Sequence, residues 1–367
     1  MKKKIVFIIP NLKCGGAPKV LSLISQNLDN DKYNVVLVCV SMIDAFYKIT
    51  NPAVKVIDLN KKHIRNTIFP ILSILKKEKP DLVFSNGQDL NILMGMFKLY
   101  FGKKIKFICR ETSVLSGNNK NTKREKVYNF LVKRLYNNMD KIVCQSKEMY
   151  MDLAEKYNIK KEKLHIIYNP VAIPEQLNQV RIFGAGNNIK LLSIGRLSPE
   201  KGNMRLLHII SLLTIPYQLI ILGDGPEKKD LEVEAQKLNI QDHIIFKGAV
   251  ANTNDYITDC DCVLLSTYNE GFPNIVLETG ILGKPVIAFK VPGVDEEVIE
   301  NGITGFLING DNHQDFCNAI EVLQTIKFDE KKIRQRILEK YAIQKIINDY
   351  DNLFNQISRV KYHNIAS

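Results

Sequence analysis

The sequence predicts an α/β protein of two doubly wound, Rossmann-like parallel-sheet domains facing a cleft. Its 367 residues are too many for one ordinary core and suit two domains. Short β-branched runs alternate with helical stretches of ten or more residues, as βαβ units require. The alternation stops at 171–187, where Pro174, Asn178, Gly184 and Gly186 leave little periodicity, and then restarts.

In the first half the strand-like runs lie at 4–10, 33–40, 54–59, 81–85, 105–109, 141–144 and 164–168, and Asn169-Pro170 breaks the chain after them. In the second half they lie at 189–195, 217–223, 243–246, 260–266, 285–289 and 305–308. The expected division is therefore a first domain at 1–170, a linker at 171–187 and a second domain at 188–342. A last helix follows a break near Tyr341. The cleft between two such sheets is the default binding site.

Composition narrows the function classes. Residues 1–170 hold 31 Lys and Arg against 14 Asp and Glu, a balance of +17, whereas 171–367 hold 20 against 25, or −5. Such asymmetry points to an anionic surface partner, membrane lipid or nucleic acid. No nucleic-acid reading element or stacking aromatics are evident. The seven cysteines are scattered without a Cys-x-x-Cys and the six histidines are dispersed, so no metal site is expected. The thiols are expected to be small and buried, in a reducing cytoplasm. Met1-Lys2-Lys3-Lys4 before an apolar run imitates a signal peptide, but Pro10 ends that run and a first strand is the better account. No stretch approaches the ~20 apolar residues that span a bilayer. Over 123–136, Tyr128, Leu131, Val132 and Leu135 fall at helical spacing with Lys126, Lys133 and Arg134 elsewhere on the wheel. Such a helix suits either an anionic membrane or a core.

The chemistry concentrates in the second half. Asn269-Glu270-Gly271-Phe272-Pro273-Asn274-Ile275-Val276-Leu277-Glu278 joins a strand to a helix, and that edge of a parallel sheet is where open α/β folds bind ligands. Amides opening the helix near Asn274, Ile275 and Val276 favour an anion such as phosphate. Glu270 in the loop and Glu278 on the helix would repel phosphate unless aimed at hydroxyls, and a sugar nucleotide supplies both groups. Gly195-Arg196-Leu197-Ser198-Pro199-Glu200-Lys201-Gly202 follows the first strand of this half. Ser198 reads as an N-cap and Pro199 as the first helical residue, which puts Lys201 in the first turn and Arg196 just before it. Two cations at that edge suit a diphosphate. In the first half, Cys14-Gly15-Gly16 closes the first strand and allows backbone approach to a phosphate or sugar. It is not the Gly-x-Gly-x-x-Gly of a dinucleotide-dependent dehydrogenase.

These segments resemble family 4 glycosyltransferases, retaining enzymes of the two-domain GT-B type. The Glu270–Glu278 segment is similar to their Glu-x7-Glu signature, and Gly195 to Gly202 resembles the Gly-Arg-Leu-x-x-x-Lys-Gly motif that holds a donor diphosphate. Gly223-Asp224-Gly225-Pro226 looks like the family's Gly-x-Gly-Pro turn, and Phe246-Lys247-Gly248 resembles a segment whose backbone meets the nucleobase. Pro18 and Lys19 depart from the family's first turn, and Arg110 and Glu111 stand where many relatives have a histidine. The resemblance implies a retaining transferase with a nucleotide-diphosphate sugar donor, a uridine one. The acceptor would be a lipid-linked or growing glycan of capsule, O-antigen or another surface polysaccharide, at the cytoplasmic membrane face. Glu270, Arg196 and Lys201 would be catalytic, Glu278 would hold ribose, and Asn86, Arg110 and Glu111 would touch acceptor. The resemblance also implies that the last helix, at about 343–367, packs back on the first domain. No metal or other cofactor is expected, because positive charge would do a metal's work. The alternatives are a sugar-nucleotide 2-epimerase of the same plan and a basic nucleic-acid-binding protein.

Overall fold

The computed structural model describes residues 2–118, 122–174 and 188–359. The expected linker positions 175–187 and the tail at 360–367 lie outside the described residues. The chain divides into two compact units, Met1–Pro170 with Ile343–Ser367, and Val171–Ala342.

Unit 1 holds seven strands: β1 (Lys3–Ile9), β2 (Tyr33–Cys39), β3 (Lys55–Asp58), β4 (Leu82–Asn86), β5 (Lys106–Arg110), β6 (Lys141–Cys144) and β7 (Leu164–Ile166). They form one parallel sheet in the order β3-β2-β1-β4-β5-β6-β7. Between them run α1 (Gly16–Asn27), α2 (Ile68–Glu78), α3 (Gln88–Phe101), α4 (Lys123–Leu135) and α5 (Lys147–Met151). Successive strand side chains point to opposite faces, so β1 feeds two cores. Ile5, Phe7 and Ile9 meet α1 residues such as Leu21 and Ile24 on one face. Val6 and Ile8 join Ile71 of α2, Phe97 of α3 and Val132 of α4 on the other. A parallel strand buried on both faces reads as an unbroken apolar run, which β1 is from Ile5 to Ile9.

The apolar set expected on α4 belongs to that second core. Val132 and Leu135 are buried, and Tyr128 and Leu131 pack against them. Of the two readings open for this helix, these four residues take the core one. Cys14 corrects the expectation that all thiols are buried, because it is exposed while the other six cysteines are interior. No described helix is long and apolar enough to cross a membrane.

Unit 2 holds β8 (Ile189–Ile194), β9 (Tyr217–Leu222), β10 (Ile244–Gly248), β11 (Cys262–Leu265), β12 (Val286–Phe289) and β13 (Gly305–Ile308), paired in the parallel order β10-β9-β8-β11-β12-β13. Its helices are α6 (Asn203–Ile210), α7 (Lys228–Lys237), α8 (Asn254–Asp259), α9 (Asn274–Ile281), α10 (His313–Glu321) and α11 (Glu330–Tyr341). Then α12 (Ile343–Arg359) belongs to unit 1. It buries Ile346, Tyr350, Leu353, Phe354 and Ile357 against the first core. The Phe354 ring meets Tyr33 at 6.0 Å, Phe84 at 6.2 Å and Tyr350 at 5.9 Å.

A side chain so enclosed leaves a cavity when truncated. Phe354→Ala should lower stability by about 3–5 kcal/mol in denaturant melts, and Phe354→Leu by less. Equal midpoints for wild type and the alanine variant would show that α12 contributes nothing to this core.

Candidate active site

In unit 2 the strand order reverses between β8 and β11, and such a switch point opens a crevice at the carboxyl ends of the strands. The loop leaving β8 carries Gly195, Arg196 and Lys201, and the loop leaving β11 carries Glu270. These two loops meet. Lys201 Nζ lies 2.6 Å from Glu270 Oε1, with both side chains mostly enclosed. Arg196 is exposed on the same loop as Lys201.

The Lys201 loop differs from its expected form. Pro199–Lys201 makes a single 3-10 turn, and α6 begins only at Asn203. Gly202 interrupts with φ of 64°, and a Cβ there would stand 2.0 Å from the Ser266 carbonyl oxygen. Ser198 Oγ hydrogen-bonds Glu200 Oε1 at 2.6 Å rather than capping a helix. The close approach that Gly202 permits is what stitches the loops. The Tyr268 amide donates to the Glu200 carbonyl at 3.0 Å, and Thr267 Oγ1 donates to the same oxygen at 2.9 Å. Ser266 Oγ donates to the Lys201 carbonyl at 3.2 Å. The Glu270 amide is fixed from another side by the Pro292 carbonyl, at 2.8 Å.

Sequence reasoning missed the residue that binds these pieces. Arg205 of α6 is 5% exposed. Its Nη2 donates to the carbonyls of Ser266 and Thr267 at 2.5 and 2.8 Å, and its Nη1 meets Asp311 at 2.7 Å. The guanidinium lies 4.0 Å from the ring centroids of both Tyr268 and Phe289. A planar fork between two rings suits arginine and no other cation. The only signal in the sequence was a charge between Met204 and the apolar run Leu206-Leu207-His208-Ile209-Ile210.

The other expected donor-side residues gather at the same edge. Gly223 lies so near the β8 loop that a Cβ would stand 1.8 Å from the Gly195 carbonyl oxygen, and Gly225 packs in the same way on Leu197. The Gly223 amide donates to Gly248 at 2.8 Å, which joins the Phe246-Lys247-Gly248 segment to this stack. Lys247 is exposed, and Phe246 is half-buried. Beyond Gly271, Phe272 is interior with its ring 5.9 Å from Tyr341, so its side chain shapes the loop from within. At the start of α9 the Asn274 amide donates to Phe272 at 3.0 Å and the Val276 amide to Pro273 at 2.9 Å. These local turns engage two of the three amides near which an anion was expected. Ile275 and Glu278 are half-buried on α9, which α11 backs through Ile337 against Gly280. Among the described residues no group of three or more His, Cys, Asp or Glu side chains is gathered to hold a metal ion.

Unit 1 has its own switch point between β1 and β4. The Gly15-Gly16 turn leaves β1 there and opens α1, and Asn86 ends β4. Arg110 and Glu111 correct the expectation that they touch acceptor, because both are fully buried. Arg110 Nη1 donates to Asn86 Oδ1 at 2.8 Å and Nη2 to Asn169 Oδ1 at 2.5 Å. Glu111 accepts from Tyr136 Oη at 2.8 Å and from the Thr112 amide at 2.9 Å. Asn86 is interior as well. These side chains hold strand ends to one another rather than presenting themselves to a ligand. Burial raises the Glu111 carboxyl to about 7 and lowers Arg110.

Two Rossmann-like parallel sheets, each with its own switch point, are the architecture of the GT-B fold. The solved structure of HepE from Anabaena with UDP and glucose has the same fold, with a TM-score of 0.79 at 18% identity over 96% of this chain and 100% of that one. The Glycosyltransferase Family 4 model matches residues 14–173 and the Glycosyl transferases group 1 model matches 176–344, end to end. The chain belongs to the family 4 glycosyltransferases. It is 24% identical to an N-acetylgalactosaminyltransferase of Campylobacter jejuni that acts on a diphospho-undecaprenol-linked sugar, over 92% of this chain and 93% of that protein. It is 21% identical to the amylovoran biosynthesis glycosyltransferase AmsD of Erwinia amylovora, over 97% and 100%.

Removing the Arg205 fork leaves the Ser266 and Thr267 carbonyls unsatisfied. Arg205→Met should lower stability by about 1–3 kcal/mol, and Arg205→Lys should not restore it, since an ammonium cannot reach all three acceptors and stack. Full recovery by lysine in thermal melts would make the residue a simple charge. For Glu111, a raised folded-state pKa means that its contribution to stability is present below the unfolded value and is lost as pH rises toward about 7. Glu111→Gln should therefore gain on wild type between pH 5 and pH 8. A constant gap in melting temperature across that range would contradict the buried, proton-holding carboxyl.

Proposed function

We propose that this glycosyltransferase moves a sugar from a uridine diphosphate sugar to a lipid-linked or growing glycan, with retention of anomeric configuration. The product would be capsule, lipopolysaccharide or another surface polysaccharide. The protein would work as a peripheral protein on the anionic cytoplasmic face of the membrane. The observation that carries the donor reading is the Lys201–Glu270 pair at the switch point of unit 2, with Arg196 exposed on the Lys201 loop. Support comes from HepE, which was solved with UDP and glucose, and from relatives named for undecaprenol-linked and amylovoran synthesis. A transferase family sets aside the 2-epimerase alternative.

In this reading the C1–O bond to the donor phosphate breaks, the acceptor hydroxyl oxygen bonds C1, and the nucleoside diphosphate departs with the hydroxyl's proton. Charge grows on the departing phosphates, and preorganised cations meet it without reorganisation. Arg196 supplies a bidentate fork and Lys201 a point charge. Glu270 orients Lys201 and accepts hydrogen bonds from sugar hydroxyls, and Glu278 accepts them from ribose. The two cations replace a metal ion, so transfer proceeds without one. The +17 of residues 1–170 supports the membrane reading.

A panel of radiolabelled sugar nucleotides, scored for slow donor hydrolysis, identifies the donor. Glu278→Ala and Glu270→Ala should each lower kcat/KM by one to two decades, since hydrogen bonds to a charged group are worth roughly 1.5–3 kcal/mol. Unchanged kinetics in both variants would remove the donor assignment. Arg196→Ala and Lys201→Ala should weaken binding of free nucleoside diphosphate in calorimetry. Because Lys201 and Glu270 touch, their double variant should lose less than the sum of the singles. EDTA should leave activity intact, and an absolute Mg²⁺ requirement would overturn metal independence. Wild type should co-sediment with anionic vesicles, less so at high salt.

A further inference from the structure

Among the described residues, five large apolar side chains are 60% or more exposed: Phe69, Leu99, Tyr100, Val127 and Phe130. All five lie on α2, α3 and α4. These helices cover one face of the unit 1 sheet, since their inner residues share one core. They are also neighbours. Lys76 Nζ of α2 lies 5.3 Å from the Tyr100 ring centroid of α3, and Gly95 of α3 packs so close to α4 that a Cβ would stand 2.7 Å from Leu135 Cβ. The outer sides of the three helices thus make one surface studded with apolar tips.

The tips are interleaved with cations. On α4 the outward line Val127, Phe130, Arg134 follows i, i+3, i+7 spacing, with exposed Lys126 and Lys133 on its flanks. Lys103, exposed, follows the end of α3, four residues after Leu99. Between 68 and 135 the chain has 14 Lys and Arg against 5 Asp and Glu, a balance of +9. That is more than half of the excess in residues 1–170. Nucleic acid would use the cations and could stack on rings, but it gives the aliphatic tips Leu99 and Val127 no partner. A lipid surface with acidic headgroups uses both, because aliphatic and aromatic tips enter the interface while lysines stay among phosphates.

We infer that the outer face of α2, α3 and α4 is the membrane-docking surface of this protein, with Leu99 and Phe130 at its centre and anionic lipid as its partner. This rests on the membrane reading proposed above and deepens it. It also moves the apolar contact on α4 from the residues expected from periodicity, which are in the core, to Val127 and Phe130 on the opposite side.

The chain has no tryptophan, so Leu99→Trp creates a single reporter. Its emission should shift to the blue on vesicles of phosphatidylglycerol and phosphatidylcholine, and stay unshifted on phosphatidylcholine alone. The double variant Leu99→Ser, Phe130→Ser should lower partition onto the anionic vesicles at least tenfold, with donor hydrolysis unchanged. Leu212→Ser with Ile326→Ser, two exposed apolar positions of unit 2, should leave partition as in wild type. If wild type binds anionic vesicles and the Leu99, Phe130 variant binds equally, the docking face is wrong while the membrane reading stands. If wild type binds neither vesicle, both fail. If DNA displaces the protein from vesicles and the double variant binds DNA and vesicles as wild type does, charge alone acts and the apolar face is refuted.

Discussion

The active edge of unit 2 depends on how closely the backbone leaving β8 can approach the backbone leaving β11. Lys201 and Glu270 are 69 residues apart in sequence and meet at 2.6 Å only because the segments around them share hydrogen bonds. Gly202 lets the two main chains touch, Thr267 and Tyr268 reach back to Glu200, and Arg205 grips the next two carbonyls from beneath. A carboxylate and an ammonium on exposed flexible stems would gain little from pairing. Here the stems are mostly enclosed and their loops are fixed, so the pair is held at one place at the sheet edge. This is the preorganisation that the proposed electrostatic role would require.

Unit 1 solves a similar problem with the opposite outcome. An arginine and a glutamic acid also sit at its strand ends, Arg110 and Glu111, but they are sealed inside. The guanidinium there ties β4 to the segment after β7 through Asn86 and Asn169, and Gln145 links Asn169 to the Glu111 carbonyl. Burying such groups is costly unless their hydrogen bonds are made, and several are. The result is a stiff floor beneath the loops of that unit. It fixes where those loops start.

The strands were legible in the sequence because parallel strands buried on both faces are short, β-branched and bounded by turn residues. The loops after β8 and β11 were legible because glycine, proline and charge sit at fixed offsets there. What could not be read was partnership across distance. Arg205 looks like an interruption of an apolar helix until Ser266, Thr267, Tyr268 and Asp311 are brought round it. Arg110 and Glu111 look like surface charges at a strand end until Asn169 and Tyr136 close over them. On α4, helical spacing found an apolar side correctly as the inner one, and gave no hint that Val127 and Phe130 stand exposed on the other.

The helix α12 gives unit 1 an unusual timetable. The surface formed by Tyr33, Phe84 and their neighbours stays open until Tyr350 and Phe354 arrive, and these are translated only after the whole of unit 2. Domains emerging from a ribosome generally fold in the order they are made. In this chain the first unit to be started is the second to be finished. Its aromatic surface stays uncovered during synthesis, and any message cut short before α12 yields unit 2 tethered to an unfinished partner.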